Sequence, residues 1–192
     1  MPRIDAPTVA EHHRRRRAAL VSAGRALLSE RGAEAVTPAR VGAAAGIARS
    51  SVYQYFPSTG DLLAAIVEEA FASATAQIRA SLADLTAPRD RLDAYLRTAF
   101  ALATGSEHRT FDAIDPASLP SATHGRIAAL HDEQIAPLAD AVRDSGAADP
   151  AIATQLVGGM LTAAARAVAH GADPDTTLTA LLRAVHDGPV PG

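Results

Sequence analysis

The chain has 192 residues, of which 48% are hydrophobic and 4% aromatic, and it contains no cysteine. This length allows a sizeable buried core, and the lack of cysteine excludes disulfides, thiolate nucleophiles and cysteine-ligated zinc. Alanine supplies much of the hydrophobic content, so the composition favours an all-α fold. No apolar stretch has the length of a signal peptide or reaches the ~18 residues of a membrane span, so we expect a cytoplasmic protein.

The formal net charge of −3 is the sum of two opposite contributions. Residues 1–60 hold nine arginines and four acidic residues, a net charge of +5, whereas the remainder holds nine arginines and seventeen acidic residues, a net charge of −8. A basic N-terminal part on an acidic remainder predicts that only the first part binds a polyanion.

Three helices are predicted in the basic part. The first spans about 8–31 and ends at Gly32, which suits a left-handed cap. The second spans 37–45, because threonine can cap a helix with its hydroxyl and proline fits the first helical position. Gly46 breaks the chain, and a third helix follows over about 48–56. The last two helices form a helix-turn-helix, whose shared core is predicted to be Val41, Ala44, Ile47 and Val52.

The acidic remainder is predicted to form a second helical domain, 58–192, after an N-terminal domain, 1–57. Helices are expected at about 59–86, 88–103, 124–144, 151–169 and 175–186. The segment between the second and third of these is rich in proline, glycine and serine and is expected to consist of loops and short helical pieces.

The last two predicted helices each have one apolar face. Small residues in the first of them allow close approach of another backbone, so the two faces can pair with their copies around a two-fold axis, or fold back onto the same chain. The residues predicted for a dimer interface are Ile152, Leu156, Gly159, Met160, Ala163, Leu178, Leu181, Leu182 and Val185.

Residues 20–63 resemble the DNA-binding region of the tetracycline-repressor (TetR) family of bacterial regulators. The resemblance implies an N-terminal helix-turn-helix domain and a variable all-helical domain that dimerises and binds a ligand. The matching residues are Ala26 to Gly32, Thr37, Val41, Ala45-Gly46-Ile47, Val52 to Phe56, and Asp61-Leu62-Leu63.

Helical periodicity turns Val52 and Phe56 of the third helix inward and leaves its polar side chains exposed. Arginine, serine and glutamine can read base edges, and tyrosine hydroxyls can donate to phosphates. Tyr53 can instead be a packing residue, and the arginine run can be a solvated charge cluster rather than an arm that follows the DNA backbone. The predicted DNA-binding residues are Thr37, Arg40, Arg49, Ser50, Ser51, Tyr53, Gln54, Tyr55 and Thr59, together with Arg14, Arg15, Arg16 and Arg17.

The acidic part also contains candidates for an effector pocket, although a filled core would draw on the same residues. Its histidines lack the spacing of metal ligands, and no catalytic motif is present, so we expect no metal site, no cofactor and no enzymatic activity. The candidate pocket residues are Phe71, Tyr95, Phe100, His108, Phe111, His131 and Met160.

Together these features predict a TetR-like transcriptional regulator. It would bind a palindromic double-stranded DNA operator as a homodimer, act as a repressor, and be released by a small, mostly apolar effector. An alternative is a small-molecule-binding helical protein or an enzyme with a vestigial DNA-binding region. Thr59 and Ala48 motivate it, because the family usually has a lysine and a capping serine there. A regulator that responds to a protein partner, or that has no effector, is a third possibility.

Overall fold

A computed structural model describes residues 6–105 and 114–188. Within these two ranges the chain forms eight α-helices and no strand, so the predicted all-α class is confirmed. Single 3-10 turns occur at Ala33–Ala35 and Pro116–Ser118. The helices are α1 (Ala6–Arg31), α2 (Pro38–Ala44), α3 (Arg49–Val52), α4 (Thr59–Leu82), α5 (Pro88–Thr104), α6 (Ser121–Asp144), α7 (Pro150–Ala169) and α8 (Pro174–His186).

Side-chain caps define the starts of several helices, as the sequence predicts. The Thr37 hydroxyl accepts the Arg40 N–H of α2 at 3.3 Å. Asp149 caps α7, and Asp173 caps α8 by accepting the Thr176 N–H at 2.8 Å. Such caps satisfy N–H groups that have no partner within the helix, which fixes where the helix begins.

Three predicted boundaries are wrong by several residues. The third helix was expected to reach Phe56, but α3 ends at Val52 and the next residues form hydrogen-bonded turns. The fourth helix was expected to reach Thr86, whereas α4 ends at Leu82. The sixth helix starts three residues earlier than predicted, at Ser121.

Packing divides the described residues into two compact units, which do not coincide with the predicted division after residue 57. The N-terminal unit comprises residues 6–70 and 114–127, and the second unit comprises 71–105 and 128–188. Ile114 explains why the later segment belongs to the N-terminal unit, since its side chain is buried in that unit's core.

The core of the N-terminal unit joins α1, the helix-turn-helix and the start of α4. Val41 and Val52 are fully buried, as predicted, and Ile47 is half-buried. Ala44 was expected in this core but is exposed, which corrects that part of the prediction. The main buried side chains are Leu20, Leu28, Val36, Val41, Val52, Phe56, Leu62 and Ile66.

The core of the second unit is built from α5 to α8 and the C-terminal part of α4. Arg91 of α5 pairs with Asp144 at the end of α6 at 3.2 Å. His186 of α8 lies 2.6 Å from the carboxylate of Asp93 on α5. The main buried side chains are Ile78, Leu92, Tyr95, Leu96, Phe100, Leu138, Val142, Val157, Leu181 and Val185.

The α7 helix has an apolar face that this core leaves uncovered. Ile152 is 56% exposed and Leu156 is 51% exposed, and Gly159 and Ala163 continue the same face. By length and composition alone α7 could cross a membrane. In its apolar 18-residue stretch, 11% of the residues are buried. A single such helix is weak evidence for a membrane span, because an apolar interface between protein subunits has the same composition.

Candidate nucleic-acid interface

The third helix and the turn that follows it present a polar surface on the side opposite the core contacts of Val52. Val52 points into the core with no exposure, whereas Arg49, Ser50 and Gln54 are exposed and Tyr53 is 42% exposed. The predicted orientation of this helix is therefore confirmed. Its exposed groups are donors and acceptors of the types that read base edges and phosphates.

The turn between α2 and α3 depends on two glycines. Gly46 has a φ of 67°, a left-handed conformation that L side chains rarely adopt. Gly42 lies where the two helices approach each other, and a Cβ on it would come within 2.6 Å of the Ile47 carbonyl oxygen and 2.9 Å of a Val52 methyl. The sequence reasoning did not identify Gly42, because a glycine inside a helix gives no sign of which backbone comes close.

Arg49 and Tyr53 form one exposed polar group, one helical turn apart. The guanidinium carbon of Arg49 lies 6.0 Å from the centre of the Tyr53 ring, and its Nη2 is 3.5 Å from the tyrosine hydroxyl. A cation above an aromatic face is attracted by the ring's quadrupole, so each side chain restricts the other. Both keep hydrogen-bonding capacity on the protein surface.

Two contacts attach the exposed part of α1 to the end of the helix-turn-helix. The ring of His13 lies 4.5 Å from that of half-buried Tyr55, with the planes tilted by 33°. The guanidinium carbon of Arg17 lies 5.1 Å from the ring centre of Phe56, which is almost completely buried. These contacts are absent from the sequence prediction, since the residues are about forty positions apart in the chain.

The positive charge of the arginine run on α1 is partly neutralised by Glu11 of the same helix. Arg14 pairs with the carboxylate of Glu11, and the Arg15 Nε lies 2.9 Å from the other carboxylate oxygen. Hydrogen bonds from Arg14 first, and then from Arg15, lower the pKa of Glu11. All four arginines of the run are exposed. Because one glutamate faces four arginines, the run retains a net positive charge.

The other predicted DNA-binding residues occupy different environments. Arg40 and Thr59 are exposed and Ser51 is half-buried. The Thr37 hydroxyl already accepts the Arg40 N–H, so this side chain serves α2 as a cap. Ala48 precedes α3 and has no side-chain oxygen with which to cap it.

The candidate effector residues that the structure describes all belong to the second unit and differ in burial. Tyr95 and Phe100 are buried in the core of the second unit. Burial raises the pKa of Tyr95 to about 12, and its hydroxyl donates to the Gln134 carbonyl at 3.4 Å. The remaining described candidates are Phe71 and His131, whose rings meet edge to face at 6.3 Å, and Met160, which packs on the core; His108 and Phe111 lie outside the described residues.

The predicted dimer-interface residues divide between surface and core. Ile152, Leu156, Gly159 and Ala163 are exposed, while Met160, Leu178 and Leu182 are half-buried. Leu181 and Val185 are buried within the chain's own core, so we remove them from the predicted interface. The exposed side of α8 borders a surface depression of about 450 Å³. It is lined by Asp175, Thr176, Thr179, Ala180 and Arg183.

Residues 20–66 match the model of a family described as bacterial regulatory proteins, tetR family. We call residues 20–66 the TetR-family domain, because they match the model of that family over about a quarter of the chain. The sequence resemblance is thereby confirmed, and the TetR-family domain includes the helix-turn-helix with Arg49, Tyr53 and Gln54.

Similar proteins extend the comparison beyond the TetR-family domain. Nucleoid occlusion factor SlmA of Haemophilus influenzae is 33% identical over 97 residues, which is half of this chain and 43% of that relative. A putative TetR-family regulator from Vibrio parahaemolyticus has a TM-score of 0.73 at 20% identity, covering 91% of this chain and 98% of that one. FadR from Bacillus subtilis in complex with stearoyl-CoA has a TM-score of 0.71 at 15% identity, covering 87% and 96%. At these identities the two structures show a shared fold for most of the chain.

Proposed function

We propose that this protein is a cytoplasmic transcriptional repressor that binds a palindromic operator as a homodimer and is released by a small, mostly apolar effector. The observation that carries the proposal is the joint exposure of Arg49 on α3 and of Tyr53 and Gln54 in the turn that follows it, all within the TetR-family domain. The net charge of +5 over residues 1–60 supports it, because a cationic surface attracts the phosphate backbone.

The chemistry of this surface suggests which of its residues read bases and which contact phosphates. Arginine pairs well with guanine and glutamine with adenine, and each good pair contributes ~1–3 kcal/mol of discrimination. Arg49 and Gln54 are therefore the proposed base-reading residues. Tyr53 restricts the Arg49 side chain and has a hydroxyl able to donate to a phosphate. Its proposed role is to fix the position of the protein along the duplex rather than to read the base sequence.

A second copy of the chain is the proposed partner of the exposed face of α7. Ile152 and Leu156 are large apolar side chains, and Gly159 and Ala163 allow the backbone of a facing helix to approach closely. An interface related by a two-fold axis presents two recognition helices to one duplex. Half-sites of the operator should then lie about 34–36 Å apart, or a multiple of that distance.

Release by an effector follows from linkage between two binding sites. A ligand that prefers the conformation with weaker DNA affinity needs a coupling free energy of only ~1–3 kcal/mol to act as a switch. The similarity in fold to FadR, whose structure contains stearoyl-CoA, supports an effector with a long apolar part. The same comparisons with regulators support a role in binding rather than in catalysis.

Selection of bound sequences from random DNA tests the proposal, followed by measurement of affinity for the recovered duplex. Arg49→Ala should weaken binding by ~1–3 kcal/mol and relax the preference at one base pair. Tyr53→Phe, which keeps the ring, should weaken binding equally for all sequences. Arg79→Ala removes an exposed arginine from α4 in the second unit and should leave DNA binding unchanged.

One observation favours the alternative of a vestigial DNA-binding region. The α3 helix has four residues, and Ala48 offers it no side-chain cap. If this recognition helix no longer binds DNA, the wild-type protein will show no enriched sequence and no salt-dependent affinity, while small-molecule binding by the second unit is retained. Recovery of a palindrome would exclude the alternative.

A further inference from the structure

His13 contacts the segment that carries the proposed DNA-binding residues but has no role in the proposed function. It lies on the exposed part of α1, and its ring stacks on Tyr55, which follows the recognition helix. His12 is also exposed, but it lies about 100° further round the same helix. The two adjacent histidines therefore differ in position, and one of them contacts the helix-turn-helix.

The charged groups near His13 come from both elements. Its own helix contributes Glu11, His12 and the run Arg14–Arg17. The carboxylate of Glu11 already pairs with Arg14 and Arg15. The segment packed against it contributes Tyr55 through the ring contact, and Tyr53, two residues earlier, lies beside Arg49. At the start of α4, the carboxylate of Asp61 accepts hydrogen bonds from Ser58. The carboxylates of Glu11 and Asp61 thus already have partners.

We propose that His13 is an additional residue of the DNA interface, an inference that rests on the proposed DNA-binding function. As a neutral ring it restricts the ring of Tyr55 and so positions the hydroxyl oxygen from which that residue donates to a phosphate. As a protonated ring it adds a cation beside that phosphate. Because DNA favours the protonated form, the complex takes up a proton, and DNA affinity rises as the pH falls.

The salt dependence of DNA binding measures this added cation. Each further phosphate neutralised by a protein cation steepens the slope of log affinity against log salt by ~0.9. Histidine changes charge between about pH 8 and pH 5. For the wild-type protein and a random-sequence duplex, we expect the slope to be steeper by ~0.9 at about pH 6 than at about pH 8.

Three variants separate the positioning role from the charge. His13→Phe keeps a ring on Tyr55 and should retain the wild-type affinity at the higher pH but lose the change in slope. His13→Ala should be weaker at both pH values. His12→Phe is the matched control and should behave as the wild type. Circular dichroism and thermal unfolding check that all three variants are folded.

The outcomes distinguish this inference from the proposed function. If the wild-type protein binds no duplex at low salt at either pH, the DNA-binding function fails and the inference fails with it. If the wild-type protein binds DNA but His13→Phe keeps the change in slope, or His12→Phe loses it, only the inference is overturned.

Discussion

At the scale of single residues, Gly42 shows how one missing side chain determines the geometry of the interface. A Cβ there would come within 2.6 Å of the Ile47 carbonyl oxygen, which belongs to the backbone of the turn and has little room to move. The glycine thus allows α2 and the start of α3 to pack at this short distance. Gly125 in α6 is a useful comparison, since a Cβ there would meet open space among the described residues.

We expect Gly42→Ala to lower the free energy of unfolding by ~1–3 kcal/mol, because the clash forces a backbone shift. Gly125→Ala should raise it by ~0.5–1 kcal/mol, because alanine restricts the unfolded chain and favours a helix. Chemical denaturation followed by circular dichroism measures both. Stabilisation by Gly42→Ala would show that the two helices are not in close contact.

At the scale of elements, the helix starts depend on short polar side chains. Asp173 accepts the Thr176 N–H at the start of α8, and hydrogen bonds from the Thr176 side chain and then its backbone lower the pKa of Asp173. A carboxyl whose pKa is lower in the folded state stabilises the fold when ionised. That stabilisation is present above the unfolded value of about 3.9 and is lost as the pH falls through the lowered pKa.

The loss of stability on acidification should therefore be smaller in Asp173→Asn than in the wild type. Asparagine also accepts hydrogen bonds as an N-cap, so the variant should have nearly wild-type stability at neutral pH. Melting temperatures measured between about pH 7 and pH 3 report the difference. Asp187→Asn removes the same charge at the other end of α8, where the capping contact is made by the backbone N–H of this residue, and should leave the Asp173 cap intact.

At the scale of the whole molecule, the proposed homodimer depends on the uncovered face of α7. Leu156 is 51% exposed, and burying an unpaired carboxylate in an apolar interface costs ~2 kcal/mol or more. Leu156→Glu should therefore raise the dissociation constant of the dimer about thirtyfold or more. Analytical ultracentrifugation over a range of concentrations measures it.

Ala129→Glu provides the matched control, because Ala129 is exposed on α6 and the substitution adds the same charge to the same unit. It should leave the dissociation constant unchanged. A monomeric wild-type protein at all concentrations would refute the proposed dimer. Equal effects of the two substitutions would instead place the interface elsewhere on the second unit.

Local signals explain which parts of the fold were predictable. Thr37-Pro38, Asp149-Pro150 and Asp173-Pro174 each mark a helix start, because the cap and the proline act within one turn of the chain. The end of α3 was mispredicted, since the aromatic residues after Val52 give no signal that distinguishes a helix from consecutive turns. Residues of the segment 114–127 offered no sign that Ile114 would be buried with the N-terminal helices.

The sequence by itself determined the helical class, the caps, the opposite charges of the two parts and the exposed polar face of the third helix, because these depend on neighbours within a turn or two and on composition. Only the tertiary structure decided that Gly42 is a contact point, that His13 stacks on Tyr55, and that Leu181 and Val185 belong to the chain's own core. An apolar helical face has the same sequence pattern whether it packs within a chain or between chains. Contacts between distant positions therefore decide its partner.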